Sequence, residues 1–276
     1  MTARNSPASP TISLFRGFPV DTSYTPSPFV NKLELRLRLG GVCYHVEEGS
    51  ISRAPRGRIP YVKHEPAAAG ANSQSHVEML PDSTLIPRKL IEYNYMDDLN
   101  AALTPAERAK DLAVRALVEE KVYFYTLWID NYYPTRDTIL RVPLPIRAIL
   151  GLYFYHDIKY RLKGQGALLL THDEVVAFEL EAWEAINQML VESRQTWQEA
   201  GRTGPFWILG GTAPTEADAT VFGFVIAYLD SKMAPATDRI IQGRFPVIVE
   251  YVRRIHERYF PEYTPRAAFG RKETVA

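Results

Sequence analysis

The chain has 276 residues, 46% of them hydrophobic, and its 32 Lys plus Arg are balanced by 32 Asp plus Glu. That balance provides no overall field for steering onto nucleic acid or an anionic membrane, and the hydrophobic share is too high for wholesale disorder. A single cysteine, Cys43, excludes an intramolecular disulfide and suits a reducing, cytoplasmic compartment. The N-terminus has no apolar signal-peptide core, and the most apolar run, 143–155, contains Arg147 and is too short to span a bilayer.

Residues 1–10 are small, polar and Pro-containing and read as a tail. Thr11 to Phe15 alternates and reads as a strand. Ser27 and Pro28 suit the N-cap and first position of a helix whose face carries Phe29, Val30, Leu33 and Leu37, and Gly40-Gly41 ends it. A second strand is expected over 42–46 and a third over 61–64, with 66–75 as an inserted loop and a fourth strand over 76–80. A helix is expected from Asp82 to Glu92, distorted by Pro87. Beyond Thr104 no convincing strand follows. Helices are expected over 104–132, 173–196 and 215–229, the last opened by a Thr215/Asp218 capping box, and a final one is marked by Phe245, Ile248, Val252, Ile255 and Tyr259. The segment 134–171 holds three Gly, a Val-Pro and a Leu-Pro step and several aromatics and yields no clear element. The pattern is a small mixed sheet with helices on its faces, then an all-helical half.

Two short motifs carry chemistry. Proline is the residue before which a cis peptide is cheap, and a cis Ile59-Pro60 bond would turn the backbone groups of Ile59 outward to pair with an extended peptide. Asp82 and Ser83 at a helix start would hold a charged terminus nearby. Together they suit a small zwitterionic peptide such as glutathione. The six histidines show no metal-binding spacing, and no Gly-rich phosphate loop is present.

Four motifs in order strengthen this reading. Ser27-Pro28-Phe29 with Lys32-Leu33-Glu34 resembles the first-helix motif of the glutathione S-transferase superfamily, especially its failed-axon-connections and metaxin-like branch. Gly57-x-Ile59-Pro60 is similar to the superfamily's cis-proline loop, and Leu80-x-Asp82-Ser83 to its glutamyl-binding motif. The stretch Pro214 to Gly223 resembles the capping motif of its helical domain. The resemblance covers about 11–260. It implies a thioredoxin-like α/β domain at 11–97 and an all-α domain at 104–262, with flexible tails at 1–10 and 265–276.

By resemblance, Ser27 occupies the position that activates the thiol, and its hydroxyl together with the helix N-terminus would favour the glutathione thiolate. Ile59, Pro60, Asp82 and Ser83 would bind glutathione as co-substrate, with Arg53 or Arg58 pairing its glycyl carboxylate. Tyr24 is a rival hydroxyl on a poorly fixed loop. Cys43, on the expected second strand, reads as a buried core residue. One or two of Tyr123, Trp128 and Tyr132 would face a pocket for a small hydrophobic electrophile, such as a secondary-metabolism intermediate. Superfamily members are often dimers, so a homodimer is expected, with no nucleic-acid partner. The alternative is a non-catalytic assembly or signalling protein of metaxin type, on the same fold.

Overall fold

The computed structural model describes residues 11–66, 77–130, 144–231 and 233–265. Its sheet has four strands: β1 (Thr11–Phe15), β2 (His45–Glu47), β3 (Tyr61–Glu65) and β4 (Glu78–Pro81). Their order is β2-β1-β3-β4. β1 runs parallel to β2, while β3 is antiparallel to both β1 and β4. Two helices pack on one face: α1 (Pro28–Leu39) and α2 (Leu85–Glu92). The alternation of β1 sends Ile12 and Leu14 into a core with Leu33, Leu37, Val62, Leu80, Ile86, Leu90 and Met96.

The rest of the described chain is helical: α3 (Pro105–Ala116), α4 (Tyr123–Asp130), α5 (Leu144–Gln165), α6 (His172–Glu199), α7 (Glu216–Asp230), α8 (Pro235–Arg244) and α9 (Pro246–Tyr259). A π-helical turn at Leu117–Val122 joins α3 to α4. Reciprocal capping boxes open α3 (Thr104 with Glu107) and α6 (Thr171 with Glu174). The Thr215/Asp218 box opens α7 as the sequence predicts: Thr215 N donates to Asp218 Oδ2 at 2.8 Å. Asp218 does more than cap. It is wholly buried and its Oδ1 accepts from Ile208 N at 2.8 Å and from the Tyr251 hydroxyl at 2.9 Å. Burial pushes its carboxyl up to about 6 against the pull of these donors.

Helix α1 is buried along most of its length, including Asn31, Lys32, Glu34 and Arg36. Its neighbour is α7, with every residue from Ala217 to Asp230 buried. The two backbones meet at Gly223, where a Cβ would stand 2.4 Å from Lys32 N and 2.6 Å from Lys32 Cα. Charged side chains cross the same seam: Lys32 Nζ to Glu119 at 2.6 Å, and Arg36 Nε to Glu216 at 2.5 Å.

Several boundaries depart from the sequence reading. β2 is shorter than expected and starts at His45, because 42–44 lead out of the Gly40-Gly41 turn without pairing. α2 starts three residues late, because Asp82 has φ +77° and cannot be helical. Pro87 then falls in its first turn, where a missing N–H costs no intrahelical bond. Much of 134–171 is the long helix α5, whose apolar residues are spread around its circumference and so gave no single-face pattern. α8 was also missed. The expected tail 1–10, the 66–75 insertion beyond Pro66, Tyr132 and the expected tail from 266 on lie outside the described residues.

Gly223→Ala is expected to destabilise the protein by about 2–3 kcal/mol, because the atom it meets is backbone and cannot rotate away. Asp218→Ala is expected to cost about 3 kcal/mol or more by stranding buried donors. Urea unfolding midpoints check both. An unchanged midpoint for either would contradict the packing described.

Candidate functional site

A cavity of about 210 Å³ lies where the loop after β1, the start of α1 and the helical half meet. Gly17, Ser27, Phe29, Ile51 and Ile59 form one wall. Tyr123, Leu127, Asp130, Tyr228, Met233 and Ala234 are among the residues of the other. Most of this lining is apolar, with hydroxyls and one carboxyl set into it.

Ser27 is the N-cap residue of α1, and its side chain makes no capping bond. Its carbonyl accepts from Val30 N at 3.2 Å and Asn31 N at 3.3 Å, so the backbone is committed while the hydroxyl is not spent on the helix. Asn31 fixes this turn. Fully buried, it accepts from Thr25 N at 3.1 Å and from Thr25 Oγ1 at 3.0 Å, and donates to Thr25 O at 2.9 Å. The sequence reading passed over Asn31, and a polar residue inside an apolar helical face was the signal for it.

The Ile59-Pro60 bond is cis, and Pro60 is buried at the entry to β3. The Ile59 side chain, given little meaning from sequence, forms part of the cavity wall and packs on Gly17. A Cβ on Gly17, whose φ is +71°, would come within 2.8 Å of Ile59 Cδ1. Tyr61 pairs with Pro81, so the residues just outside that pair, Pro60 and Asp82, flank the same end of the sheet. Asp82 is exposed and adopts a left-handed conformation, and its Oδ1 accepts from Thr84 N at 2.8 Å and Leu85 N at 3.2 Å. Ser83 is buried at 5% exposure. Thr84 Oγ1 accepts from Lys32 Nζ at 2.9 Å, which ties this turn to the α1–α7 seam.

The structure thus brings Ser27 and Ile59 to one cavity and sets Asp82 and Ser83 at the adjoining end of β4, outside its lining. Arg53 ends the short 3₁₀ turn whose first residue, Ile51, lines the cavity, but Arg53 and Arg58 are both exposed. Tyr123 lines the cavity and packs edge-to-face on Phe29 at 5.3 Å. Trp128 instead packs against Ile158, Leu162 and Ala167. Among the described residues no group of three or more His, Cys, Asp or Glu is placed to hold a metal, and no helix is long and apolar enough to cross a membrane.

Two expectations fail. Tyr24 is not on a loose loop. It is 4% exposed, its ring packs among Phe222, Phe260 and Tyr263, and its hydroxyl bonds His256 Nδ1 at 2.8 Å. Cys43 is exposed and not buried: it alternates with Val42 and Tyr44, which are half-buried against the sheet core, and so faces the other way.

Comparison with known proteins agrees with this architecture. Residues 28–134 match the family described as the glutathione S-transferase N-terminal domain. Among solved structures, the fold is similar to glutathione transferase GSTFuA3 from Phanerochaete chrysosporium (TM-score 0.56, 13% identity, covering 94% of this chain and 98% of that one). It is also similar to a glutathione transferase family member from Pseudomonas fluorescens pf-5 with two glutathione bound (TM-score 0.53, 14% identity, 91% and 90% covered). A third similar structure is Ure2p in complex with glutathione (TM-score 0.51, 14% identity, 92% and 93% covered). The protein has the glutathione transferase fold: a thioredoxin-like α/β part followed by an all-helical part.

Exposure of Cys43 has a direct consequence. Iodoacetamide should label the native protein to about one equivalent at a rate close to that of the urea-unfolded chain. Labelling only after unfolding would restore the buried-core reading.

Proposed function

We propose that this protein binds glutathione and uses its thiolate against a small hydrophobic electrophile. The observation that carries the reading is that Ser27, at the start of α1, and Ile59, at the cis-proline, line one cavity whose far wall is apolar helix. Glutathione would run from Ser27 past the backbone of Ile59 and Pro60 to Asp82 and Ser83, with Arg53 at its glycyl end. The glutathione-binding domain would span 11–97 and the acceptor-binding helical domain 104–262. The acceptor would be a small hydrophobic molecule such as a secondary-metabolism intermediate, and by resemblance the assembly would be a homodimer. Two of the similar structures carry bound glutathione, which supports the same ligand here.

The Ser27 hydroxyl would donate to the thiolate at a helix N-terminus that already favours negative charge. Favouring thiolate over thiol by ~1.4 kcal/mol lowers the thiol pKa by about one unit. The second reading, a non-catalytic protein of metaxin type, is favoured by one observation: the Asp82 carboxylate already serves the N-terminus of α2.

Calorimetry should find glutathione binding in the micromolar to low-millimolar range. The Asp82→Ala/Ser83→Ala double variant should bind at least tenfold more weakly. No heat from folded wild type would favour the non-catalytic reading. In turnover assays at neutral pH, Ser27→Ala should lose about tenfold or more in rate while keeping glutathione affinity. Intact turnover in that variant would remove Ser27 from the chemistry.

A further inference from the structure

The acceptor side of the cavity holds a buried acid pair. Asp130, at the end of α4, lines the cavity and is 8% exposed. Its Oδ1 accepts from Ala236 N at 2.7 Å and its Oδ2 from Thr237 N at 3.3 Å, at the first turn of α8. Behind it, Glu179 of α6 is completely buried. Between the two carboxyls stands one hydroxyl. Thr237 Oγ1 is 2.7 Å from Glu179 Oε1 and 3.1 Å from Asp130 Oδ2. Thr126 Oγ1 lies 2.9 Å and Trp183 Nε1 3.5 Å from Glu179 Oε1, and Glu179 Oε2 has no hydrogen-bond partner among the described residues.

Counting hydrogens decides the protonation. Thr237 Oγ1 carries one hydrogen and faces two acids. If both were ionised, one of its contacts would set lone pair against lone pair, and Glu179 Oε2 would be a buried anionic oxygen without a donor. A single proton shared by the pair removes both penalties. Burial raises both carboxyls above their ordinary range, in keeping with this count. Among the described residues, other groups acting on the pair include Arg239, which favours the Asp130 anion, and the hydroxyl of Tyr228, itself 6% exposed on the cavity wall. The sequence reading gave no role to Asp130, Glu179 or Thr237, which lie on three different helices.

We propose that Asp130 is the proton donor to the electrophile, supplied by Glu179 through the hydroxyl of Thr237, and that the acceptor is of a class that must gain a proton, an α,β-unsaturated carbonyl. This rests on the glutathione-conjugating reading above. The glutathione sulfur forms the C–S bond at the β-carbon, and the C=C π pair moves onto the α-carbon and carbonyl oxygen. Asp130 gives its proton to that enolate. The proton travels from Glu179 to Thr237 Oγ1 as the Thr237 hydrogen passes to Asp130. The proton released when the glutathione thiol ionises returns through cavity solvent, so the sum is addition of one glutathione across the double bond. Asp130 is the catalytic residue and Glu179 and Thr237 are positioning residues.

The test compares two electrophiles, an enone and a chloronitrobenzene, whose chloride leaves without needing a proton. Asp130→Asn keeps an oxygen to cap α8 but removes the acid. Thr237→Val cuts the relay and leaves both carboxyls. The expected result is that the ratio of enone to chloronitrobenzene turnover falls at least thirtyfold for Asp130→Asn and about tenfold for Thr237→Val. The ratio of the two rates cancels any loss of folded protein. An equal fall on both substrates, no fall on either, or a wild type active on the chloride and inactive on the enone would overturn the proton-donor role. A wild type inactive on both electrophiles would instead overturn the conjugation reading beneath it.

Discussion

Everything in this molecule hangs on the contact between α1 and α7. An amphipathic helix normally buries one stripe, but α1 is closed in on both sides, with the sheet core taking Leu33 and Leu37 and the helical half taking Leu35. Its polar residues are therefore buried too, and each charge among them must find a partner. Lys32 finds Glu119, Arg36 finds Glu216, and Glu34 accepts from Tyr263. Such pairs add little net stability over apolar packing, yet removing one partner strands the other at about 3–5 kcal/mol. They act as register marks across the seam. The close approach at Gly223 permits the register, because any side chain there would meet the backbone of Lys32.

That register places the site. Ser27 lies one residue before α1, so fixing α1 against α7 fixes Ser27 against the end of α7, where Tyr228 and Ser231 line the same cavity. Lys32 reaches from the seam to Thr84, and Thr84 in turn donates its N–H to Asp82. Ser27 and Asp82, the two ends of the glutathione site proposed above, are thus tied to one interface. The π-helical turn at Leu117–Val122 contributes Glu119 to the seam, which also accepts from Thr220 of α7 at 3.1 Å. An irregular turn inside a long helix is a recurrent way of re-aiming a side chain.

The elements that were legible in the sequence share one property: their signals are local. The alternation of Thr11 to Phe15, the Ser27-Pro28 helix start, the Ile59-Pro60 step and the Thr215/Asp218 box each depend on residues within a few positions of one another. All four stand in the structure where they were expected. The misreadings were tertiary. Cys43 reads as buried from its apolar neighbours in sequence, but Val42 and Tyr44 take the core side and Cys43 alternates outward. Tyr24 was read as loose because its loop has no regular structure, and its ring is locked by aromatics more than 190 residues away. Helix α5 was invisible because its apolar residues do not favour one face.

By itself the sequence determined the order of elements other than α5 and α8, the cis-proline and capping motifs and, through their order, the glutathione transferase fold. Capping, turn chemistry and periodicity act over a few residues, so a linear reading captures them. The tertiary structure alone decided which of the candidate residues share a cavity, which side chains close it, and that Asp130, Thr237 and Glu179 meet. Those contacts join helices separated by some fifty to a hundred residues, and only the packing of α4, α6 and α8 around a common core brings their hydrogen-bonding groups within reach.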